Sequence, residues 1–92
     1  MPKGMPKDKT LKRQLLTRYR ISLGHLEKVI RMLDKDDYCV DIVHQSIAVQ
    51  AALRKADHEV LRNHLKTCLS EDIKKGKSKK TIDEVMKVLE KI

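Results

Sequence analysis

Apolar residues recur along the first third of the chain at spacings that predict a helix. From Leu11 onward, steps of three or four residues separate the members of one apolar stripe: Leu15, Tyr19, Leu23, Leu26, Ile30 and Leu33. Basic residues fill many of the positions between them. Because residues three and four apart share one face of an α-helix, this pattern predicts an amphipathic first helix.

A second helical pattern runs from about Tyr38 to Leu69 without Gly or Pro. The acidic turn before it, residues 34–37, offers an aspartate as N-cap. A broad apolar face rich in small residues is typical of a helix that packs against more than one neighbour. Here that face contains Ile42, Val49, Leu53, Ala56 and Val60, and is widened by Val43, Ile47 and Ala51.

A polar break at residues 74–80, with Gly76 and Ser78, precedes a short third helix. The apolar side of this helix contains Ile82, Val85, Met86, Leu89 and Ile92. We therefore predict an all-α fold of two long helices and one short one, forming a single domain over residues 11–92. Residues 1–10, which contain both prolines and Gly4, are typical of a flexible basic N-terminal arm.

The composition points to an oligomer with a polyanionic partner. A chain of 92 residues without Phe or Trp has little capacity to bury its own core, which favours packing between subunits. The formal charge of +8 favours nucleic acid first and an anionic membrane surface second. A merely solvated, lysine-rich surface is the alternative. The scarcity of aromatic residues argues against stacking on single strands and leaves duplex phosphates as the target.

No paired carboxylates, activated nucleophile or Gly-rich phosphate loop indicate catalysis, so we expect neither an enzyme nor a small-molecule substrate. No leader or long apolar run is evident, and we expect a cytoplasmic protein with no membrane association. In a reducing compartment, two cysteines are more often metal-binding or reactive than paired in a disulfide.

Three side chains form the candidate metal site: Cys39, His64 and Cys68. His64 and Cys68 are four apart and therefore lie on the same helix face. Cys39 is 25 positions before His64, roughly 38 Å along a continuous helix, too far for one ion to bridge. One ion can have all three ligands only if Cys39 comes from a second, antiparallel chain, which gives two equivalent sites in a symmetric dimer.

Two thiolates and an imidazole suit Cu(I), with Zn(II) as the competitor. The alternatives are a buried cysteine acting as a small hydrophobe and a chance spacing of His64 and Cys68. Tyr38 and Glu84 are candidates to support the ligands through hydrogen bonds. Alternatively, Glu84 belongs to a capping box that starts at Thr81. Tyr38 alternatively covers the core at the start of the second helix.

From Leu11 to the C-terminus, the chain resembles the copper-sensitive operon repressor family. The resemblance is carried by residues 37–43, Gln45, residues 48–53 and 63–68, and by Gly24-His25-Leu26. It implies antiparallel four-helix-bundle dimers that pair into tetramers. It also implies that Cu(I) is held by Cys39 of one protomer with His64 and Cys68 of the other, and that Tyr38 and Glu84 support that site.

The resemblance further implies a repressor that binds double-stranded operator DNA without metal and releases it on binding Cu(I), so that copper export or homeostasis genes are expressed. Arg18 matches a DNA-binding Arg of the family, and the basic position of the second helix falls on Lys55, with Arg54 beside it. Arg13 is a further basic candidate on the first helix. The remaining alternatives are a repressor of the same fold that senses nickel, zinc or persulfide, a copper-buffering protein without a DNA role, and a purely structural helical protein.

Overall fold

The computed structural model describes residues 9–76 and 78–92, and all of their side chains except those of residues 68–70, 72 and 78. It contains α1 (Lys9–Asp34), α2 (Cys39–His64), α3 (Ser70–Lys74) and α4 (Ser78–Leu89). A π-helical turn, Leu65–Leu69, joins α2 to α3 without interruption. The described residues thus form three helical rods, two long and one short, as the all-α prediction expected.

The helices α1 and α2, each of 26 residues and therefore about 39 Å long, form an antiparallel hairpin. Two hydrogen bonds between side chains show this orientation. Tyr19 pairs with Asp57 near the open end, and His25 pairs with Gln45 nearer the turn. As the chain advances along α1, its partners on α2 move backward, which requires antiparallel axes. The molecule measures 56 × 28 × 15 Å.

The aspartates between the two long helices close α1 rather than begin α2. The N–H of Asp37 donates to the carbonyl of Met32 at 3.0 Å, and the N–H of Asp36 donates to that of Leu33 at 3.2 Å. Asp36 has a φ of 60°, so this is a Schellman ending with a non-glycine residue in the left-handed position. The predicted aspartate N-cap is wrong, since α2 is preceded by Tyr38, whose side chain makes no capping hydrogen bond.

The predicted polar break at residues 74–80 is shorter in the structure, at both of its ends. The helical backbone that begins with α2 continues to Lys74, beyond Leu69, because the π-helical turn carries it on into α3. The reversal falls at Gly76, whose φ of 72° is a conformation that glycine adopts without a steric cost. α4 then begins at Ser78. At the other terminus Lys9 and Thr10 belong to α1, while residues 1–8 of the predicted arm lie outside the described residues.

The predicted apolar stripe of α1 divides between two environments. Leu15 is buried and Tyr19 is half-buried, but Leu23, Ile30 and Leu33 are 57%, 60% and 65% exposed. Along α2, Val49 and Ala56 are buried, whereas Val43 and Ile47 are exposed. Among the described side chains, the core of a single chain is therefore small: Leu15, Val49, Ala56 and Val85, with Ser22, Asn63 and Thr81 as buried polar residues.

We define the exposed apolar stripes as the surface formed by one set of α1 residues and one set of α2 residues. They are Leu23, Leu26, Ile30 and Leu33 of α1, with Val40, Val43 and Ile47 of α2. Both sets lie in the half of the hairpin that contains the turn. None of the helices in the described part of the chain is long and apolar enough to cross a membrane.

Candidate metal centre and nucleic-acid interface

The predicted metal ligands lie at opposite ends of α2. Cys39 is the first residue of this helix and is exposed, and His64 is its last residue. A helix of 26 residues is about 39 Å long, so these two side chains of one chain do not share an ion. Among the described residues, no group of three or more His, Cys, Asp or Glu side chains is arranged to hold a metal.

Cys68 lies in the π-helical turn directly after His64. Such turns are rare and often mark functional sites, because they insert one wider turn into an α-helix. Four residues correspond to about one turn in either geometry, so the backbone keeps His64 and Cys68 one turn apart. Within the same turn the hydroxyl of Thr67 donates to the carbonyl of Asn63 at 2.9 Å. Nothing in the sequence distinguishes this turn from an ordinary α-helix.

Glu84 and His64 line one recess between α2 and α4, with a volume of about 250 Å³. Its other walls are apolar: Val60, Leu61, Val85 and Val88. We call this the His64 recess. The structure thus brings together a predicted ligand and a residue predicted to support it, across 20 positions of sequence.

The capping-box alternative for Glu84 is wrong. α4 begins at Ser78, three residues before Thr81, so Thr81 is inside the helix and is completely buried. A capping box requires its first residue to precede the helix. Glu84 is exposed in the second turn of α4, where its carboxylate can serve the recess rather than the helix start.

Tyr38 lies beside Cys39, at the far end of α2 from His64. It is 68% exposed, so it does not cover the core of its own chain, and that alternative is wrong as well. The other histidines are surface or half-buried side chains. His44 and His58 are exposed, while His25 donates through Nε2–H to Oε1 of Gln45 at 2.7 Å.

Two of the four predicted DNA-binding residues meet on one surface. Arg18 of α1 and Lys55 of α2 line a shallow depression of about 220 Å³ between the helices, together with Ile21, Ser22 and Ala52. We call this the basic depression. Arg13 and Arg54 are exposed but lie elsewhere on α1 and α2. Two cations beside a buried serine are suited to a phosphate group.

The hydrogen bond between Tyr19 and Asp57 is a feature that the sequence does not predict. The phenolic O–H donates to Oδ1 of Asp57 at 2.6 Å. Burial raises the pKa of Tyr19 to about 12, and the hydrogen bond and negative charge of Asp57 act in the same direction. Apolar spacing alone places Tyr19 in a hydrophobic stripe. The remaining signal is a single aspartate, Asp57, on the buried side of α2.

The structure thus combines an all-helical hairpin, a basic depression, and a thiol and an imidazole at opposite ends of one helix, the features expected of a helical metal-responsive regulator. The sequence matches the family described as metal-sensitive transcriptional repressors over residues 11–91. This chain belongs to that family. The resemblance seen in the sequence is confirmed.

Individual relatives agree with the family match. The copper-sensing transcriptional repressor CsoR of Mycobacterium ulcerans is 44% identical over 75 residues, which is 82% of this chain and 64% of that protein. CsoR of Bacillus subtilis is 34% identical over 80 residues, 87% of this chain and 79% of that protein. The chain spans less than two thirds of the length of its mycobacterial relatives.

A solved structure shows the same fold. The copper-sensing repressor CsoR with Cu(I) from Geobacillus thermodenitrificans matches with a TM-score of 0.85 and 29% sequence identity. The match covers 95% of this chain and 91% of that one.

Proposed function

We propose that this chain is a cytoplasmic Cu(I)-sensing repressor. It binds operator DNA in the metal-free form and releases it on binding Cu(I), and copper export or homeostasis genes are then expressed. The observation that carries the proposal is the Cys39, His64 and Cys68 set, in a chain whose relatives are named as copper sensors. We propose no catalytic role and no small-molecule substrate.

The donor set fits Cu(I), which favours soft thiolate ligands and few of them. We propose that Cys39 of one protomer and His64 and Cys68 of the other form each site. The length of α2 supports this arrangement, since it separates Cys39 from His64 within one chain. The ligand chemistry alone leaves Zn(II) as a competitor, and the relatives named as copper sensors favour Cu(I).

A second copy of the chain also accounts for the exposed apolar stripes. In water, a surface of exposed Leu, Ile and Val side chains this long is unfavourable, and burying it stabilises an assembly. The stripes lie in the same half of the hairpin as Cys39 and Tyr38. A partner packed antiparallel on this half would bring its own His64 end toward Cys39. We propose a dimer of this kind, two of which form a tetramer.

We propose that the basic depression contacts the DNA backbone through Arg18 and Lys55, with Arg13 and Arg54 as peripheral contacts.

We propose further that Glu84 accepts a hydrogen bond from the ring nitrogen of His64 that does not bind metal. A ligating histidine usually gives this proton to an oxygen acceptor. Because Glu84 is on α4, such a bond would tie the position of α4 to the state of His64. Tyr38 would support the Cys39 side of the site.

The test is an anaerobic titration with Cu(I) in competition with a chelator, followed by DNA binding with and without Cu(I). The DNA is a duplex that the parent protein selects from a random pool. We expect tight binding of about one Cu(I) per chain and release of the duplex. Release by Ni(II), Zn(II) or a persulfide donor, and not by Cu(I), would favour a different inducer. Cu(I) binding without any duplex selection would favour a buffering protein.

A further inference from the structure

The hydrogen bond between Tyr19 and Asp57 lies where three helices meet. Both side chains line a recess of about 330 Å³ with Val60 and Leu61 of α2 and Val88 of α4, and with Ile92 beyond α4. This recess shares Val60, Leu61 and Val88 with the His64 recess. The two recesses therefore adjoin at these three residues: His64 and Glu84 line one, Tyr19 and Asp57 line the other, and α4 contributes to the walls of both.

The same pair lies at the level of the basic depression along α1 and α2, although neither side chain lines that depression. Arg18 directly precedes Tyr19 on α1, and Lys55 lies two residues before Asp57 on α2. Arg18 and Lys55 come from different helices, so the distance between their charges depends on how α1 and α2 are held together at this level. A second side-chain hydrogen bond between α1 and α2, that of His25 with Gln45, lies nearer the turn.

The chemistry of the pair suits it to hold two helices at a fixed spacing. A hydrogen bond from a phenol to a carboxylate is short and is stronger than one between neutral groups. With its pKa raised to about 12, Tyr19 keeps its proton and remains a donor throughout the working pH range. The aromatic ring lines the recess while the hydroxyl reaches Asp57, so packing and hydrogen bonding are separable by mutation.

We infer that Tyr19 and Asp57 are a positioning pair that sets the spacing of Arg18 and Lys55 for DNA and couples it to the position of α4. The inference rests on the proposed function. A displacement of α4 at the His64 recess changes the packing of Val88, which also lines the recess of the pair. The pair then transmits the change to the two helices of the basic depression.

The experiment compares the parent with Tyr19→Phe in the full chain. Affinity for the duplex selected by the parent is measured by fluorescence anisotropy, without metal and with one Cu(I) per chain. Cu(I) affinity and a thermal melt are measured in parallel. We expect Tyr19→Phe to weaken metal-free DNA binding about tenfold, the size of one charge-assisted hydrogen bond, and to reduce the effect of Cu(I) on DNA binding. Cu(I) affinity should change less than about twofold, since no ligand is removed.

Three further variants separate positioning from stability. Asp57→Asn keeps an oxygen acceptor and should retain most of the DNA affinity, whereas Asp57→Ala should lose as much as Tyr19→Phe does. The double variant Tyr19→Phe/Asp57→Ala should lose little more than either single one, because both remove the same bond. Gln45→Leu is the matched control. It removes the hydrogen bond between α1 and α2 that lies nearer the turn, and should lower the melting temperature with little change in DNA affinity.

A Tyr19→Phe protein with a lowered melting temperature, but with the parent's DNA affinity in both metal states, would overturn the inference. If Tyr19→Phe does not fold, equal DNA affinities of Asp57→Ala and Asp57→Asn would overturn it. A parent protein that does not release its duplex with Cu(I) would instead contradict the proposed function, which keeps the two failures distinct.

Discussion

Glu84 is the residue whose interpretation differs most between sequence and structure. The sequence allows it two roles, a helix cap and a partner of His64. The early start of α4 removes the first, and the shared recess favours the second. The proposed role of Glu84 in sensing can therefore be tested by a single substitution, because Glu84 is exposed and its removal creates no cavity.

We predict that Glu84→Ala binds Cu(I) almost as tightly as the parent but fails to release DNA. Removing an acceptor for His64 should reduce the coupling free energy between the two sites, commonly about 1–3 kcal/mol, without removing a ligand. The measurement is DNA affinity with and without Cu(I). Asp83→Ala is the control, since Asp83 is the adjacent carboxylate and does not line the His64 recess. Full release by Glu84→Ala would reject the coupling role.

Arg18 allows an independent test of the basic depression. We predict that Arg18→Ala weakens DNA binding and lowers the salt dependence of the binding constant by roughly one for each phosphate that is no longer neutralised, with Cu(I) affinity unchanged. Lys12→Ala removes the same charge from α1 outside the depression and should have the smaller effect. Equal effects of the two variants would mean that net charge, and not the depression, determines binding.

At the scale of helices, the apolar spacing in the sequence predicted that each helix exists, but it did not predict the helix boundaries or packing partners. The stripe of α1 is regular from Leu15 to Leu33, yet only its first part packs within the chain. Spacing identifies a helix face but not which neighbour covers it. Likewise, the local sequence from Thr81 to Glu84 matches a capping box, which predicts Thr81 as the N-cap of the helix. Tertiary packing extends α4 past it to Ser78 and buries it.

The turn between α1 and α2 gives a prediction for stability. Asp36 adopts a φ of 60°, which costs a side chain with a Cβ more than it costs glycine. We predict that Asp36→Gly stabilises the fold by about 0.5–1 kcal/mol, measured as a rise in the denaturant midpoint. Gly76→Ala places a Cβ at a φ of 72° and should destabilise by a similar amount. A fall in stability for Asp36→Gly would mean that its side chain supports the turn.

At the scale of the whole molecule, one chain leaves long apolar stripes exposed, which favours an assembly. We predict a dimer or tetramer with no stable monomer at micromolar concentration, measured by sedimentation equilibrium. Ile30→Glu, within the exposed apolar stripes, should dissociate the assembly. Ile21→Glu is the control, because Ile21 is 67% exposed but lies at the basic depression. A folded monomeric parent would contradict both the assembly and the shared metal site.

The geometry of the helices explains which parts of the site the sequence could predict. The ligand types and the distance along α2 were readable, since a helix converts sequence separation directly into length. Glu84 was a candidate partner of His64, but the recess that the two residues share and the bond of Tyr19 with Asp57 were not readable, because each joins residues on different helices. Their meeting depends on how α1 and α4 pack against α2, which the spacing within each helix leaves undetermined.

The central claim, a Cu(I) site shared between two chains, is tested by complementation. One variant carries Cys39→Ala and the other carries His64→Ala with Cys68→Ala. The two are co-expressed with different tags and purified through both. Each variant alone should lack tight Cu(I) binding. The mixed assembly should regain it, at up to about one ion per two chains, because each heterodimer rebuilds one of its two sites. Tight Cu(I) binding by Cys39→Ala alone, or none by the mixed assembly, would contradict the shared site.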